Sequence, residues 1–152
     1  CFCAQRITLS SEFGQPTSDM KYKNLFIIDD DHDDLEFFQD AIKLLNTNVQ
    51  CRYFQNSLEG FNELASTRAK PDAIFLDLNM PLLSGEKFLT QMKADKQLSQ
   101  IPVYILSTAA PEPGNRFVNE LGASGYLVKP SSYLTLISML AEVLEVKHKR
   151  LS

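Results

Sequence analysis

Five short apolar runs, each followed by apolar residues at helical spacing, make up most of this chain. Continuously apolar runs are typical of strands covered on both faces, and spacings of three and four residues are typical of amphipathic helices. Strict alternation of the two favours a parallel sheet with right-handed crossovers. The sequence therefore predicts an α/β fold of the (βα)5 type, a doubly wound parallel sheet with helices on both faces. The runs start near Leu25, Val49, Ala73, Ile101 and Gly125.

Single residues predict where several helices begin and end. Asp33, with Glu36 three residues later, resembles a capping box at the start of the first helix. Gly122 is expected to cap the fourth helix, because glycine is favoured at helix C-termini. The last helix is predicted from an apolar stripe formed by Leu134, Ile137, Ala141 and Leu144.

Length and composition fit one compact domain of 152 residues. A net charge of -4 does not indicate binding to nucleic acid. The chain lacks the roughly 18 consecutive apolar residues of a membrane helix. Three cysteines form no disulfide framework, which favours a reducing, cytoplasmic setting. Residues 1–19 are polar and irregular, and we expect them to be an N-terminal extension or an addition made for expression.

Polar side chains stand at the ends of four predicted strands. Asp29 and Asp30 follow the first strand, Asp77 ends the third, Ser107 ends the fourth and Lys129 follows the fifth. Because the carboxyl ends of parallel strands share one edge of the sheet, we expect these side chains to converge. Two or three carboxylates held together favour a hard divalent cation, and Mg²⁺ suits such a site.

Simpler interpretations exist for some of these residues. Asp31, Asp33 and Asp34 are expected to serve only the start of a helix, where acids interact favourably with the helix dipole. A hydroxyl at a strand end, such as that of Ser107, is usually a turn residue or a helix cap.

Together, the strand ends suit a carboxylate that accepts a phosphoryl group. Asp77 is predicted to be the nucleophile and to form an acyl phosphate. Mg²⁺ would screen the incoming oxygens from the acids, while Lys129 and the Ser107 hydroxyl would contact the remaining oxygens. Pro130 restricts Lys129 to an extended backbone, and the sequence leaves open whether their peptide bond is trans or cis.

Four motifs follow one another along the chain, at residues 27–31, 75–85, 101–107 and 122–130. Through these motifs the chain resembles, from Lys23 to Val146, the receiver domains of bacterial two-component response regulators. The resemblance implies a flavodoxin-like fold with strand order 2-1-3-4-5, and a receiver domain that spans residues 20–152.

The resemblance implies the ligands of a Mg²⁺ ion around the phosphoacceptor Asp77. Asp30 matches the acid that binds the metal directly, and Asp29 matches the acid that binds it largely through water. Asn79 matches the position whose backbone carbonyl completes the metal shell.

The resemblance also implies a switch. Ser107 matches the hydroxyl that senses the phosphoryl group, Tyr126 the aromatic residue that changes rotamer, and Lys129 the lysine that pairs with the phosphate. Thr108 stands where a small alanine is common in the family. Ala109 provides no side chain to order an attacking water, which leaves the lifetime of the phosphoryl group open.

A stand-alone phosphorylation switch is the implied function, with a surface of helix 4, strand 5 and helix 5 as its output. The expected partners are a sensor histidine kinase or a histidine phosphotransfer protein, and a second copy in a homodimer is a further candidate. Direct contact with nucleic acid or membrane is not expected, nor is enzyme activity beyond self-catalysed phosphotransfer and dephosphorylation. One alternative is a receiver-fold interaction module that acts without phosphorylation. Another is a metal-dependent phosphatase, which Asn79 disfavours because those enzymes usually carry an acid at that position.

Overall fold

A computed structural model describes residues 21–45 and 48–145, in which five strands and five helices alternate. The prediction for residues 1–19 lies outside the described residues. The strands are β1 (Asn24–Ile28), β2 (Gln50–Phe54), β3 (Ala73–Asp77), β4 (Val103–Ser107) and β5 (Gly125–Val128). The helices are α1 (His32–Leu44), α2 (Ser57–Ser66), α3 (Gly85–Ala94), α4 (Arg116–Asn119) and α5 (Tyr133–Val143).

The strands form one parallel sheet in the order β2-β1-β3-β4-β5, which confirms the predicted flavodoxin-like topology. β3 lies at the centre, and its Phe75 is paired with Ile27 on one side and Tyr104 on the other. Every residue of β3 is buried. Asp77 therefore ends the strand that is most completely enclosed by the fold.

Two apolar cores cover the two faces of the sheet. On one face, Phe88 and Met92 of α3 pack with residues such as Ile28 and Ile105. On the other face, α1 and α5 pack side by side over β1, β3 and β4. Within the residues that the structure covers, no helix is both long and apolar enough to span a bilayer.

The first helix begins differently from the predicted capping box. Asp31 is the N-cap of α1, and its side chain accepts a hydrogen bond from the Asp33 amide at 2.9 Å. The capping-box prediction was wrong because Asp33 already lies inside the first turn. Asp31 takes the capping position because its extended backbone directly precedes the helix.

The fourth helix is shorter than predicted, since α4 ends at Asn119 and Glu120 is its C-cap. The prediction that Gly122 caps this helix was therefore wrong by two positions. Gly122 still adopts a left-handed backbone with φ 81°, which lets the Ala123 amide donate to the Phe117 carbonyl at 2.8 Å. The glycine closes the turn between α4 and β5.

The prediction of which residues form the buried stripe of the last helix was partly wrong. Leu134 is 79% exposed, whereas Leu136, Leu140 and Leu144 are buried. The buried leucines recur every fourth residue and face the sheet, and Leu134 is about 200° around the helix from Leu136.

The Lys129–Pro130 peptide bond is trans, as are all peptide bonds in the described residues.

Candidate functional site

Three carboxylates meet at the carboxyl edge of the sheet. Asp29 and Asp77 are buried and Asp30 is exposed, and one oxygen of each lies within 4.8 Å of the others. The juxtaposition follows from the sheet, because β1 and β3 are neighbours in register, with Ile28 opposite Leu76. We call these three acids the acidic cluster.

Backbone contacts hold the Asp29 carboxylate in place. Its Oδ1 accepts a hydrogen bond from the Asp31 amide at 3.0 Å, within the turn that leads into α1. The Asp29 amide donates to the carbonyl of Phe54 at 3.0 Å, which ties the end of β1 to β2. Asp29 is therefore fixed at both its backbone and its side chain before any ligand binds.

Lys129 is surrounded by three acids. Its Nζ lies 2.7 Å from Asp29 Oδ2, 2.8 Å from Asp34 Oδ2 and 3.5 Å from Asp77 Oδ1. The Lys129 amide also donates to the carbonyl of Ser107 at 2.7 Å, so the residue continues the pairing of β5 with β4. The ammonium group partly neutralises the charge of the acidic cluster.

Burial and mutual repulsion shift the ionisation of this site. Burial, together with the negative charge of Asp29, raises the pKa of Asp77 to about 7, against the opposing effect of Lys129. Burial also raises the pKa of Asp29, although hydrogen bonds from Lys129 and the Asp31 amide oppose it. Burial alone would lower the pKa of Lys129, but its hydrogen bonds to Asp29 and Asp34 raise that pKa above its usual value. The site therefore carries more negative charge than its one lysine compensates.

The donor set fits a small hard cation. All three members of the acidic cluster offer carboxylate oxygens, which Mg²⁺ prefers, and their close spacing would suit a shared ion. Asn79 lies next to the cluster, and its backbone amide nitrogen is 3.4 Å from Asp77 Oδ1. The assignment of its carbonyl to the metal shell stays a prediction.

Ser107 and Tyr126 are joined through the backbone of Ala109. Ser107 is 1% exposed, and its hydroxyl accepts a hydrogen bond from the Ala109 amide at 3.1 Å. The Tyr126 hydroxyl donates to the Ala109 carbonyl at 3.0 Å. A cleft of about 390 Å³ opens beside these residues and reaches Asn79. Ser107 and Tyr126, the two residues predicted to form the switch, thus bind the backbone amide and the backbone carbonyl of the same loop residue.

Asp34 was missed as a site residue, since the sequence interpretation gave it only a role at the start of the helix. It does lie in the first turn of α1, and its side chain also binds Lys129. The sequence offers no signal for this contact, because it joins the first turn of α1 to the residue that follows β5.

Ser57 was also missed. It is fully buried at the start of α2, where its hydroxyl donates to the Pro81 carbonyl and accepts from the Leu83 amide, each at 3.2 Å. These bonds bracket Leu82, whose backbone is left-handed with φ 72°. The sequence offers no signal for this contact, because the partners are joined only by packing of α2 beside the β3–α3 loop.

Comparison with known proteins gives consistent matches. Residues 25–141 match the family model described as response regulator receiver domain. The transcriptional regulatory protein PrrA of Mycobacterium leprae is 31% identical over 121 residues, which cover 79% of this chain and 49% of PrrA. The hybrid signal transduction histidine kinase D of Dictyostelium discoideum is 26% identical over 90% of this chain and 8% of the kinase. The chain spans about half the length of PrrA.

Solved structures share the fold. The phosphorylated cyanobacterial phytochrome response regulator RcpA has a TM-score of 0.71 at 25% identity, covering 82% of this chain and 92% of RcpA. The Mn²⁺-bound form of the response regulator Rcp1 has a TM-score of 0.71 at 22% identity, covering 83% of this chain and 97% of Rcp1. The chemotaxis response regulator CheY4 of Vibrio cholerae has a TM-score of 0.69 at 23% identity, covering 80% and 98%.

Proposed function

Because the chain belongs to the response regulator receiver family of two-component signalling, we propose that it accepts a phosphoryl group on Asp77 and acts as a phosphorylation switch. The position of Asp77 carries this proposal. Its carboxylate lies at the end of the central strand, within the acidic cluster and 3.5 Å from the Lys129 ammonium. A nucleophilic carboxylate, a cation-binding set of acids and a lysine are thus gathered at one point.

The proposed step is a transfer from a phosphohistidine. An oxygen of the ionised Asp77 carboxylate forms a bond to phosphorus while the phosphorus–nitrogen bond of the donor breaks. The electron pair of that bond stays on the imidazole nitrogen, which takes up a proton from solvent. Asp29, Asp30, Asp77 and the Asn79 carbonyl would hold Mg²⁺, which supplies positive charge against the phosphoryl oxygens when bound.

Ionisation of Asp77 is the condition for attack. Since burial and Asp29 raise the pKa of Asp77 to about 7, a substantial fraction of the carboxyl groups is protonated at neutral pH without a cation. Positive charge close to the carboxylate favours its ionised form. Lys129 supplies one such charge, and its hydrogen bonds with Asp29 and Asp34 keep it at the site.

The proposed switch runs through Ala109. A phosphoryl group on Asp77 adds charge and strong acceptor oxygens. If the Ser107 hydroxyl turns to donate to it, the Ala109 amide loses its acceptor, and the loop that also holds Tyr126 can rearrange. This would change the surface of α4, β5 and α5. That surface exposes large apolar side chains suited to protein contacts, namely Val118, Val128 and Leu134.

The proposed partners are a sensor histidine kinase or histidine phosphotransfer protein, together with whatever protein reads the α4–β5–α5 surface. A second copy of the chain is one candidate reader. The proposal includes a cytoplasmic location and output through protein contacts rather than through direct binding to nucleic acid. Stand-alone action is part of the same proposal.

Incubation with phosphoramidate and Mg²⁺, followed by intact-mass spectrometry, tests the proposed function. Wild-type protein should gain one phosphoryl group, and Asp77→Asn should gain none. Asp33→Asn is the matched control, because Asp33 is an exposed acid near the site that lies outside the acidic cluster. An undiminished gain in Asp77→Asn would disprove the role of Asp77. No gain in wild type would favour the interaction module that acts without phosphorylation.

A further inference from the structure

Asp34 links the first turn of α1 to the residue that follows β5. Its Oδ2 accepts a hydrogen bond from Lys129 Nζ at 2.8 Å, across 95 positions of sequence. Lys129 also donates to Asp29 at 2.7 Å and lies 3.5 Å from Asp77. An ammonium group carries three hydrogens, so it has one for each of the three carboxylates.

These three carboxylates differ in one respect. Asp29 and Asp77 belong to the acidic cluster with Asp30, and Asp34 does not. A divalent cation held by the cluster would attract the oxygens of Asp29 and Asp77 and would repel the ammonium group of Lys129. Of the three carboxylates around Lys129, Asp34 would then be the one that interacts with the lysine and not with the cation.

We propose that Asp34 is a positioning residue, which anchors Lys129 beside Asp77 while a cation occupies the acidic cluster. This inference rests on the proposed function, because it concerns the delivery of a phosphoryl group to Asp77. Asp34 acts through Lys129 and contacts neither the cation nor the phosphoryl group. Its own place is fixed by α1, whose N-cap is formed three residues earlier by Asp31.

The burial of the two side chains supports an anchoring role. The Lys129 side chain is 16% exposed and that of Asp34 is 42% exposed, so Asp34 holds the lysine from the solvent side. Without Asp34, the ammonium group would either stay against Asp29 and compete with the cation or move out into solvent. Both outcomes remove positive charge from the place where the phosphoryl oxygens arrive.

Two measurements on the Asp34→Ala variant test the proposal. At saturating Mg²⁺, phosphorylation by phosphoramidate should slow by about tenfold, which corresponds to the loss of one charge-assisted hydrogen bond. The ¹⁵N NMR signal of the Lys129 ammonium group, recorded with Mg²⁺ and without a phosphodonor, should broaden or vanish as its protons exchange faster with water. Asp34→Glu should restore part of the rate and of the signal, since it returns the carboxylate.

Asp33→Ala is the matched control, because it removes the same charge from the same helical turn. It should leave both the rate and the ammonium signal close to those of wild type. Equal slowing in Asp33→Ala and Asp34→Ala would overturn the proposal, since the effect would then be one of net charge. A wild-type rate and signal in Asp34→Ala, with the fold confirmed by circular dichroism, would also overturn it.

The two proposals fail in different ways. If wild-type protein takes no phosphoryl group, the proposed function fails and the positioning role for phosphorylation fails with it. If wild type is phosphorylated and Asp34→Ala is phosphorylated equally fast, only the positioning role fails.

Discussion

Lys129 lies closer to Asp29 than to Asp77, with Nζ at 2.7 Å from Asp29 Oδ2 and at 3.5 Å from Asp77 Oδ1. The Asp29 bond is a short contact between groups that are both largely buried. The lysine is therefore a structural counter-charge for the acidic cluster as well as a candidate partner of the phosphoryl group. Its loss should affect stability even in protein that is never phosphorylated.

We expect Lys129→Met to lower the free energy of unfolding by about 3 kcal/mol at pH 7 without Mg²⁺, because it leaves Asp29 and Asp77 buried without their counter-charge. Mg²⁺ should restore part of this loss by compensating the same acids. Urea unfolding with and without Mg²⁺ measures both effects. Lys87→Met, at an exposed position of α3, is the control. A loss that Mg²⁺ leaves unchanged would show that the lysine does not stabilise the protein as a counter-charge for the acidic cluster.

The ionisation of Asp77 should make the stability of the metal-free protein depend on pH. The pKa of Asp77 is raised from 3.8 to about 7 in the folded state, so the folded protein holds this proton more tightly than the unfolded chain. The stabilisation is complete below pH 4 and is lost as the pH rises through 7. We expect Asp77→Asn to lack this loss, and so to gain roughly 4 kcal/mol relative to wild type between pH 4 and pH 8, since each pKa unit corresponds to about 1.4 kcal/mol.

Urea unfolding of both proteins at a series of pH values, in the presence of EDTA, measures this difference. Asp72→Asn is a control outside the site, since Asp72 accepts hydrogen bonds from the amides of Lys23 and Asn24 at the opposite end of the sheet. A difference between Asp77→Asn and wild type that stays constant with pH would contradict the prediction.

Mg²⁺ should stabilise the protein through the acidic cluster. At ten times the dissociation constant, binding to the folded state alone adds about 1.4 kcal/mol. Asp30 is the exposed member of the cluster, so we expect Asp30→Asn to change metal-free stability by less than about 0.5 kcal/mol and still to abolish most of the Mg²⁺ effect. Thermal unfolding across a Mg²⁺ titration measures this, with Asp33→Asn as the control. An undiminished shift in Asp30→Asn would remove Asp30 from the cation site.

Ser57 should stabilise the loop that leads from Asp77 to α3. Ser57→Ala removes a hydroxyl that bonds both the Pro81 carbonyl and the Leu83 amide. The Leu83 amide also donates to the Pro81 carbonyl at 2.9 Å, so we expect a cost of about 1 kcal/mol. Ser66→Ala removes an exposed hydroxyl from the other end of α2 and should change stability by less than about 0.5 kcal/mol. Denaturant unfolding of the two variants compares them. Equal losses would show that the effect belongs to the helix rather than to the loop.

The sequence predicts those parts of the site that follow from sheet topology. Asp29 and Asp77 end neighbouring buried strands, so a parallel sheet alone brings them together. The lysine after β5 follows the same rule, although its strand lies two places from β3.

Contacts between helices and loops were harder to predict. The contact of Asp34 with Lys129 depends on how close the first turn of α1 lies to the end of β5. The hydrogen bonds of Ser57 depend on how α2 packs beside the β3–α3 loop. The misplaced Leu134 has a related cause. An apolar stripe can be extended by an exposed leucine, and only the direction of the neighbouring sheet shows which residues face inwards.

The enclosure of β3 has a consequence for hydrogen exchange. Its residues are all buried, and it pairs with a strand on each side. Amide protons there should exchange only when the whole domain opens, whereas α4 has four residues, none of them buried, and should open locally and often. A phosphoryl group on Asp77 would thus act from the slowest-opening part of the molecule on the fastest-opening part. Phosphorylation could therefore change the conformation of the Ala109 loop and of α4 while β3, which carries Asp77, stays folded.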